Sequence, residues 1–470
     1  MPGYSFATLT QAQTDLALRL EDPTSQFWQT NELTAYIQEA LRTWNALTSF
    51  WRGDFNFPSQ SASEWYNIPQ LTGSLRPYTL TDNSIYSMVE YHLLEPQTVI
   101  YPLAWSGSQQ FSMADLVGAT ERRLNEVLGV TGCTISNITS SAVPGRTFLP
   151  DSVIDIRRIG FTTSGNILIG YGLGGYGAGG YGGVTPGWFG TLPLWEEDSW
   201  GEQSYDFSEY ATGPAGTPKT WLRSTQPQLS FDVVPPLGVP GTYDLLVING
   251  TTPLSTNSST PLGIPDDWAW VVKWGVLADL LSRESLVKDV PRAAYANSRY
   301  RQGLQLMQEA AALLSIRSNG IPLPIDSIRA IDEYNPLWQV QMLGAPQQCI
   351  LAGQNLITFA PITDSAPYSF TATVVQNAPV PVNPLDTIQV SRDVYDVIID
   401  YSQHLAAFKQ GGEEFNATTE LLNRFMHEAS LYNSRLSEMA EYKSTMYAQS
   451  AREIEMNPRY TVGTNVGSEE

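Results

Sequence analysis

Cysteine and histidine are nearly missing from this chain: two Cys and three His in 470 residues. Cys133 and Cys349 lie far apart, which excludes a disulfide framework and leaves both to be read as buried thiols. With only His92, His404 and His427 available, a His-rich metal cage is excluded and a His-based triad has few members. Leu431 stands where a zinc-protease helix that starts at His427 would need its second His. Neither the G-x-x-x-x-G-K-[ST] phosphate loop nor the G-x-S-x-G nucleophile elbow occurs, so the commonest phosphate cradle and the commonest serine hydrolase signature are lacking. No apolar run approaches the roughly 18–20 residues that span a bilayer. The opening MPGYSFATLTQAQTD has neither the basic nor the apolar region of a signal peptide, so an unexported protein off the membrane is expected. Positive charge is short as well: 26 Lys and Arg against 47 Asp and Glu give a net charge of -21. Without a cluster of basic residues the surface has no means of gripping a polyanion. The sequence thus implies no catalytic residue, no cofactor and no metal.

Glycine and proline are plentiful, at 37 and 31 residues, while charged residues make up 16%. That balance points to turns, loops and β-structure around islands of helix, in a chain long enough for several folded units. The stretch from Asp266 to Leu314 reads as two helices and as the centre of the chain. In the first, Trp268, Val271, Val272, Gly275 and Ala278 fall on one face and Trp270, Trp274, Leu277 and Leu281 on another, the pattern of an enclosed helix. Pro265, Asp266 and Asp267 mark its start. Asp289 and Pro291 open the second, whose apolar Ala293, Ala296, Tyr300, Leu304, Met307, Ala311 and Leu314 line one face.

Residues 1–57 read as a helical pair, with a capping box at Thr8 and Gln11 and a second helix from Thr30 whose stripe runs from Leu33 to Trp51. Ile85–Leu94 is the best strand candidate in the next segment. Ser112 and Asp115 open a helix that Gly129 is expected to cap, with Arg122 and Arg123 directed outward. Short strands follow, among them Val153–Ile159, Gln228–Val234 and Thr242–Ile248. They are interrupted by a Gly-Tyr loop over 165–190, whose Tyr171, Tyr176, Tyr181 and Trp188 are candidate contact residues. Its G-x-G-x-x-G spacing at Gly170, Gly172 and Gly175 lacks the helix and acidic partner of a dinucleotide fold. Ile321–Asp326 reads as a Pro-rich linker, followed by a second β-rich stretch. Ser391 opens another helix, broken at Gly411 and Gly412, and Thr418–Ile454 is expected to form a long one. Along that last segment Tyr442, Met446, Ile454, Pro458 and Tyr460 are candidate partner-docking residues.

Glu196, Glu197 and Asp198 beside Trp195 and Trp200 suggest a sugar site, but sequence neighbours rarely provide the fixed separation that paired catalytic acids need. Offsets of 126 (Asp267, Val271 and Val272 to Asp393, Val397 and Ile398) and 132 (Tyr300, Leu304 and Met307 to Tyr432, Leu436 and Met439) suggest a repeated strand-then-helix-pair unit.

The opening segment resembles head-to-tail adaptor (head-completion, neck) proteins of tailed bacteriophages. It carries Leu20-Glu21-Asp22, Phe27-Trp28, Glu32-Leu33, Ile37, Ala40-Leu41 and Phe50-Trp51 in the order found there. The runs from Leu149 to Arg158, Leu194 to Asp198, Gly216 to Pro218 and Asp266 to Met307 resemble larger phage virion proteins with the same opening. The resemblance implies a structural virion protein at the neck, made in the host cytoplasm. It would form a homo-oligomeric ring, twelve-fold in an adaptor-like assembly, that joins the portal protein to the tail or further neck proteins. Double-stranded DNA would pass through without tight binding, because a channel lined by carboxylates repels the phosphate backbone.

The fold class expected is α+β. A helical adaptor-like core (1–57, 112–129 and 265–318) would carry an irregular or β insertion (58–111) and a β-rich module (130–264). A linker with a second β-rich module (319–385), a C-terminal helical pair (386–456) and a flexible tail (457–470) would follow. A receptor- or glycan-binding virion protein is the alternative, suggested by Trp188, Trp195 and Trp200. A cell-wall hydrolase, suggested by the carboxylates, ranks below it.

Overall fold

The structure is a computed structural model that describes residues 6–433, except 61–64, 74, 94–110, 164–190, 198–214, 217, 226–227, 239, 255–258, 284–287, 311, 336–337 and 341–342. It is a mixed α+β protein in which most of the described helices gather in one cluster and the described strands form three sheets. The helices are α1 (Leu9–Arg19), α2 (Thr30–Thr48), α3 (Ile68–Thr72), α4 (Asp82–Leu93), α5 (Met113–Thr131), α6 (Ala269–Ser282), α7 (Val290–Glu309), α8 (Ile328–Tyr334), α9 (Arg392–Ala407), α10 (Gly412–Ala417) and α11 (Thr419–Tyr432).

At the centre, α6 is buried on every side, both expected stripes included. It is entered through a 3-10 turn at Asp266–Trp268. Asp266 does more than face the helix dipole: its carboxylate accepts hydrogen bonds from the backbone amides of Thr79 (2.8 Å) and Leu80 (2.9 Å) and from the Thr79 hydroxyl (2.6 Å). The partner helix α7 starts at an Asp289 cap with Pro291 in its first turn, as expected. The two pack at close range through glycines. A Cβ on Gly275 would stand 2.9 Å from the Tyr300 ring, and one on Gly303 2.7 Å from Val271. Around this pair the main core gathers residues from α1, α2, α4, α5, α9 and α11. The segment expected as an appended C-terminal pair is therefore part of the same core.

The strands are β1 (Arg52–Pro58), β2 (Tyr66–Asn67), β3 (Ser136–Ala142), β4 (Thr147–Phe148), β5 (Val153–Thr163), β6 (Thr191–Glu197), β7 (Thr220–Ser224), β8 (Ser230–Val234), β9 (Gly241–Asn249), β10 (Leu313–Ser318), β11 (Ile321–Leu323), β12 (Ile325–Ser327), β13 (Gln348–Ala352), β14 (Leu356–Ala360) and β15 (Ser369–Val375). The large sheet has the order β3-β9-β5-β6-β7-β8-β4, antiparallel except for β6 beside β7. Two four-stranded sheets, β1-β15-β10-β11 and β12-β13-β14-β2, share a core in which the Phe359 and Phe370 rings stack at 4.1 Å.

Several expectations are corrected. Helix α2 ends at Thr48 on a left-handed Ser49 (φ 51°), so Trp51 lies beyond it and 52–58 form β1. The alternation of buried Gly53, Phe55 and Phe57 was the overlooked period-2 signal. Ile85–Leu93 is helical within α4 rather than a strand, because Ile85, Tyr86, Val89 and His92 bury one face at helical spacing against the core. The chain passes through Gly129 to a left-handed Gly132 (φ 56°) before α5 is capped. Arg122 is exposed as expected, but Arg123 turns inward, donating to Asp279 (2.5 Å) and covering the Tyr300 ring at 4.7 Å. Leu314 belongs to β10, not to α7, so the helical centre stops short of 318. Ile321–Asp326 is not an open linker, since β11 and β12 sit in different sheets on either side of Pro324. Trp195, Glu196 and Glu197 belong to strand β6, not to a loop. Of the long helix expected over Thr418–Ile454, α11 ends at Tyr432 before an extended Asn433 (φ -134°, ψ 95°), and 434–454 lie outside the described residues.

Candidate partner-docking site

A scaffold acts through the surfaces that its core holds in place, and here the core is crossed by buried charge. Lys273 on α6 donates to both oxygens of Glu39 on α2 (2.6 and 2.7 Å), lies 3.1 Å from His92 Nε2 on α4, and sits over the Trp274 ring at 4.1 Å. Lys273 is 0% and Glu39 3% exposed. Burial pulls the Lys273 ammonium down against the opposing pull of Glu39. Burial first, then the cations Lys273, Arg292 and Lys409, hold the His92 imidazole well below its ordinary value. Nearby, Lys409 donates to Glu32 (2.9 Å), whose other oxygen accepts from Tyr36 (2.6 Å). Arg299 on α7 donates to the Tyr401 hydroxyl (2.9 Å) on α9. His404 lies 2.7 Å from Tyr295 and 2.9 Å from Thr418, and burial pushes it down to about 3. A charge left unpaired in such a place is expensive, so these pairs fix how the helices sit against one another.

One side of this framework opens as a groove of about 300 Å³ between the ends of α2, α7 and α11 and the strands β10 and β15. Its floor is set by Asn45, whose amide donates to Asp267 (2.6 Å) and to the Gln376 carbonyl (2.6 Å) and whose oxygen accepts from the Trp51 amide (3.0 Å). Burial raises the Asp267 carboxyl to about 6, against the hydrogen bonds from Asn45 and Ala378. Leu47, Trp268, Leu306, Leu314 and Val375 give the groove apolar walls, and the exposed Arg52 and Glu309 stand at its rim. Tyr432, 51% exposed, lines it, with its ring 5.3 Å from Trp44. The Asn433 side chain donates to the Leu47 carbonyl (2.7 Å), so the described chain ends on the groove.

A second apolar feature lies on the turn at 382–386. Val382 and Leu385 project from it, 71% and 83% exposed, while Asp386 accepts from the amides of Val382 (2.9 Å) and Asn383 (2.7 Å). Those bonds hold the Asp386 carboxyl below its usual range. The turn is tied to α1 through the Leu9 amide and the Asp386 carbonyl (2.9 Å).

The sequence-expected docking residues Tyr442, Met446, Ile454, Pro458 and Tyr460, and the loop residues Tyr171, Tyr176, Tyr181 and Trp188, lie outside the described residues. The groove itself escaped the sequence because its walls come from stretches hundreds of residues apart, each reading as ordinary core. The buried charges left a faint signal: Lys273 stands between Val272 and Trp274 in the most apolar part of its helix. Cys133 and Cys349 are free and buried, as expected. Among the described residues no group of three or more His, Cys, Asp or Glu is placed to hold a metal ion, and no helix is long and apolar enough to cross a membrane.

An enclosed helical centre thus carries three sheets and borders an apolar groove. Residues 103–317 match the family described as SU10 adaptor protein, over a stretch that includes α5, the large sheet, α6 and α7. The match spans a little under half of the chain and supports a phage head-tail adaptor, the class that the opening sequence resembles. The adaptor family is structural. No curated protein matches the chain.

Proposed function

We propose that the protein forms a homo-oligomeric ring at the phage neck, joining the portal protein to the tail and extending an acidic channel for DNA. The observation that carries this reading is the adaptor match across α5, the large sheet and the α6–α7 pair, the region on which the rest of the core is packed. The net charge of -21 supports it, because carboxylates facing a channel let the phosphate backbone slide where Lys and Arg would hold it. In this reading the residues beyond Ala440, with Tyr442, Met446, Ile454, Pro458 and Tyr460, reach the portal or a neighbouring subunit. Tyr171, Tyr176, Tyr181 and Trp188 form a further contact loop.

Truncation after Ala440 tests the proposal. The shortened chain should keep the thermal transition of the full chain and fail to enter portal-containing particles. Normal incorporation, or an averaged neck map without a ring of this protein, would sink it.

A further inference from the structure

We infer that β1 of one copy pairs antiparallel with β3 of the next, so that the contact between subunits is a sheet continued from chain to chain. The first observation is length. Each of the three described sheets has two end strands. Four of these six, β2, β4, β11 and β12, are two or three residues long. The remaining two, β1 and β3, have seven residues each, and among the described residues both are paired on one side alone. A long unpaired edge is a template for another strand, and natural sheets blunt it with lysine, with proline or with bulges. β3 reads Ser-Asn-Ile-Thr-Ser-Ser-Ala, without charge or proline, and β1 has its proline only at the last position.

Second, the two edges match in pattern. Exposed Arg52, Asp54 and Asn56 alternate with buried Gly53, Phe55 and Phe57, while exposed Asn137, Thr139 and Ser141 alternate with half-buried Ser136, Ile138 and Ser140. Two registers set exposed against exposed over all but one residue. One of them places Pro58, which has no N–H, inside the ladder. The other leaves Pro58 outside and sets Arg52 opposite Ser141, Asp54 opposite Thr139, Phe55 opposite Ile138 and Asn56 opposite Asn137. Third, the charges admit a second copy here. A chain of net charge -21 repels its copies, yet β3 carries no charge and Arg52 offsets Asp54. Asp54 and Asn56 already accept from the Thr373 and Thr371 hydroxyls of β15 at 2.6 Å, and Thr139 and Asn137 extend that polar ladder across the seam. Because β1 meets β3 rather than itself, the contact is heterologous and repeats in one direction, as closure into a ring requires.

The inference rests on the ring reading for that closure, and its test is separate. Asp54→Cys is made in one batch of full-length chain and Thr139→Cys in another, both at exposed positions, while Cys133 and Cys349 are buried. The batches are mixed, alone and with portal protein, and bridged by a short bismaleimide. Cross-links should form only in the mixture. Adding Asn56→Asp to the first chain and Asn137→Asp to the second sets carboxylates opposite one another and should lower the yield about threefold. Asn56→Lys in place of Asn56→Asp should restore it. Cross-linking of Thr139→Cys copies to one another would show β3 pairing with itself about a two-fold axis. That result, no cross-link in either mixture, or a yield indifferent to the opposed charges would each overturn the inference. A ring in the neck map without the cross-link would remove this contact and leave the ring reading standing; cross-linked chains that never enter particles would do the reverse.

Discussion

The helical centre and the large sheet solve the same problem by different means. Strands are placed by their ladders: β9 pairs with β3 and β5 over most of its length, and each backbone bond fixes register. One cluster packed on the sheet is apolar, built on Phe161, Trp221, Phe231 and Tyr243, while Arg158 and Asp244 are buried elsewhere on its strands. Of the ion pairs at the sheet, Arg146–Asp232 and Arg223–Asp155 are partly open to solvent, and Arg158–Asp332 is the more buried one. Helices have no ladder between them, and apolar contact alone is not directional. In the centre, directional contacts are supplied by Lys273–Glu39, Lys409–Glu32 and Arg299–Tyr401 from within. Buried charge takes over the part that backbone bonding plays in a sheet.

The largest expected effect is apolar and local to the centre. Trp274 is fully buried against His92, Tyr295 and Phe408. Trp274→Ala should cost about 3–5 kcal/mol through the cavity it leaves, read by denaturant unfolding. A melting point within a degree of the parent would move the centre of the fold elsewhere. Next comes Glu39→Ala, which strands Lys273 in the core and should cost about 3 kcal/mol or more. The double variant Glu39→Leu with Lys273→Met removes both charges and should recover most of that stability. Recovery would separate placing the helices from stabilising them; if the double variant is no better than the single one, the pair is a net stabiliser and the contrast with the sheet weakens.

Acid should divide the centre against itself. His404 sits at about 3 in the fold, below its ordinary 6.5, so the unfolded chain binds more protons between those values. Its contribution to stability is complete above pH 6.5 and is lost as pH falls, by up to about 1.4 kcal/mol per unit. His92 pulls the same way. Asp267 sits at about 6, above its ordinary 3.8, so the folded chain binds more protons there and stability falls as pH rises through 6. Asp244 in β9, raised by burial, acts in the same sense as Asp267. Over pH 4–6 the parent should show a shallow profile. In Asp267→Asn the histidine leg should steepen the loss toward acid, and an unchanged profile would count against the assignment. The smallest effect belongs to the sheet surface: Arg146→Ala breaks a partly exposed pair and should change stability by less than about 1 kcal/mol. A larger loss would show that the sheet too relies on its charges.

Much of the helical centre was legible in the sequence because helix ends and stripes are local. Thr8 with Gln11, Ser112 with Asp115, and Asp289 with Pro291 all mark real helix starts, and both stripes of α6 are buried. Strands β5, β8 and β9 were legible from short β-branched runs bounded by Pro and Gly. What could not be read depends on distant partners. Residues 52–58 are a strand because 369–375 lie beside them, and Leu314 leaves the helical pattern because β10 pairs with β15. The repeat suggested by the offsets meets a similar limit at Tyr432: it is half-exposed at a groove, whereas Tyr300 is enclosed between the Arg123 guanidinium and Gly275. The groove has walls from every third of the chain and no local pattern at all.

The pairing of β1 with β15 has a consequence in time. Arg52 faces Val375 and Pro58 faces Ser369, while Trp28 donates to the Ala406 carbonyl and Arg19 pairs with Asp400. On a ribosome adding about 5–20 residues per second, the first 58 residues emerge on the order of tens of seconds before the strand and helix that complete them. Nascent chains must hold residues 52–58 without their sheet partner until residues 369–375 have been made. Over that interval the unpaired strand is an open edge that another chain could pair with.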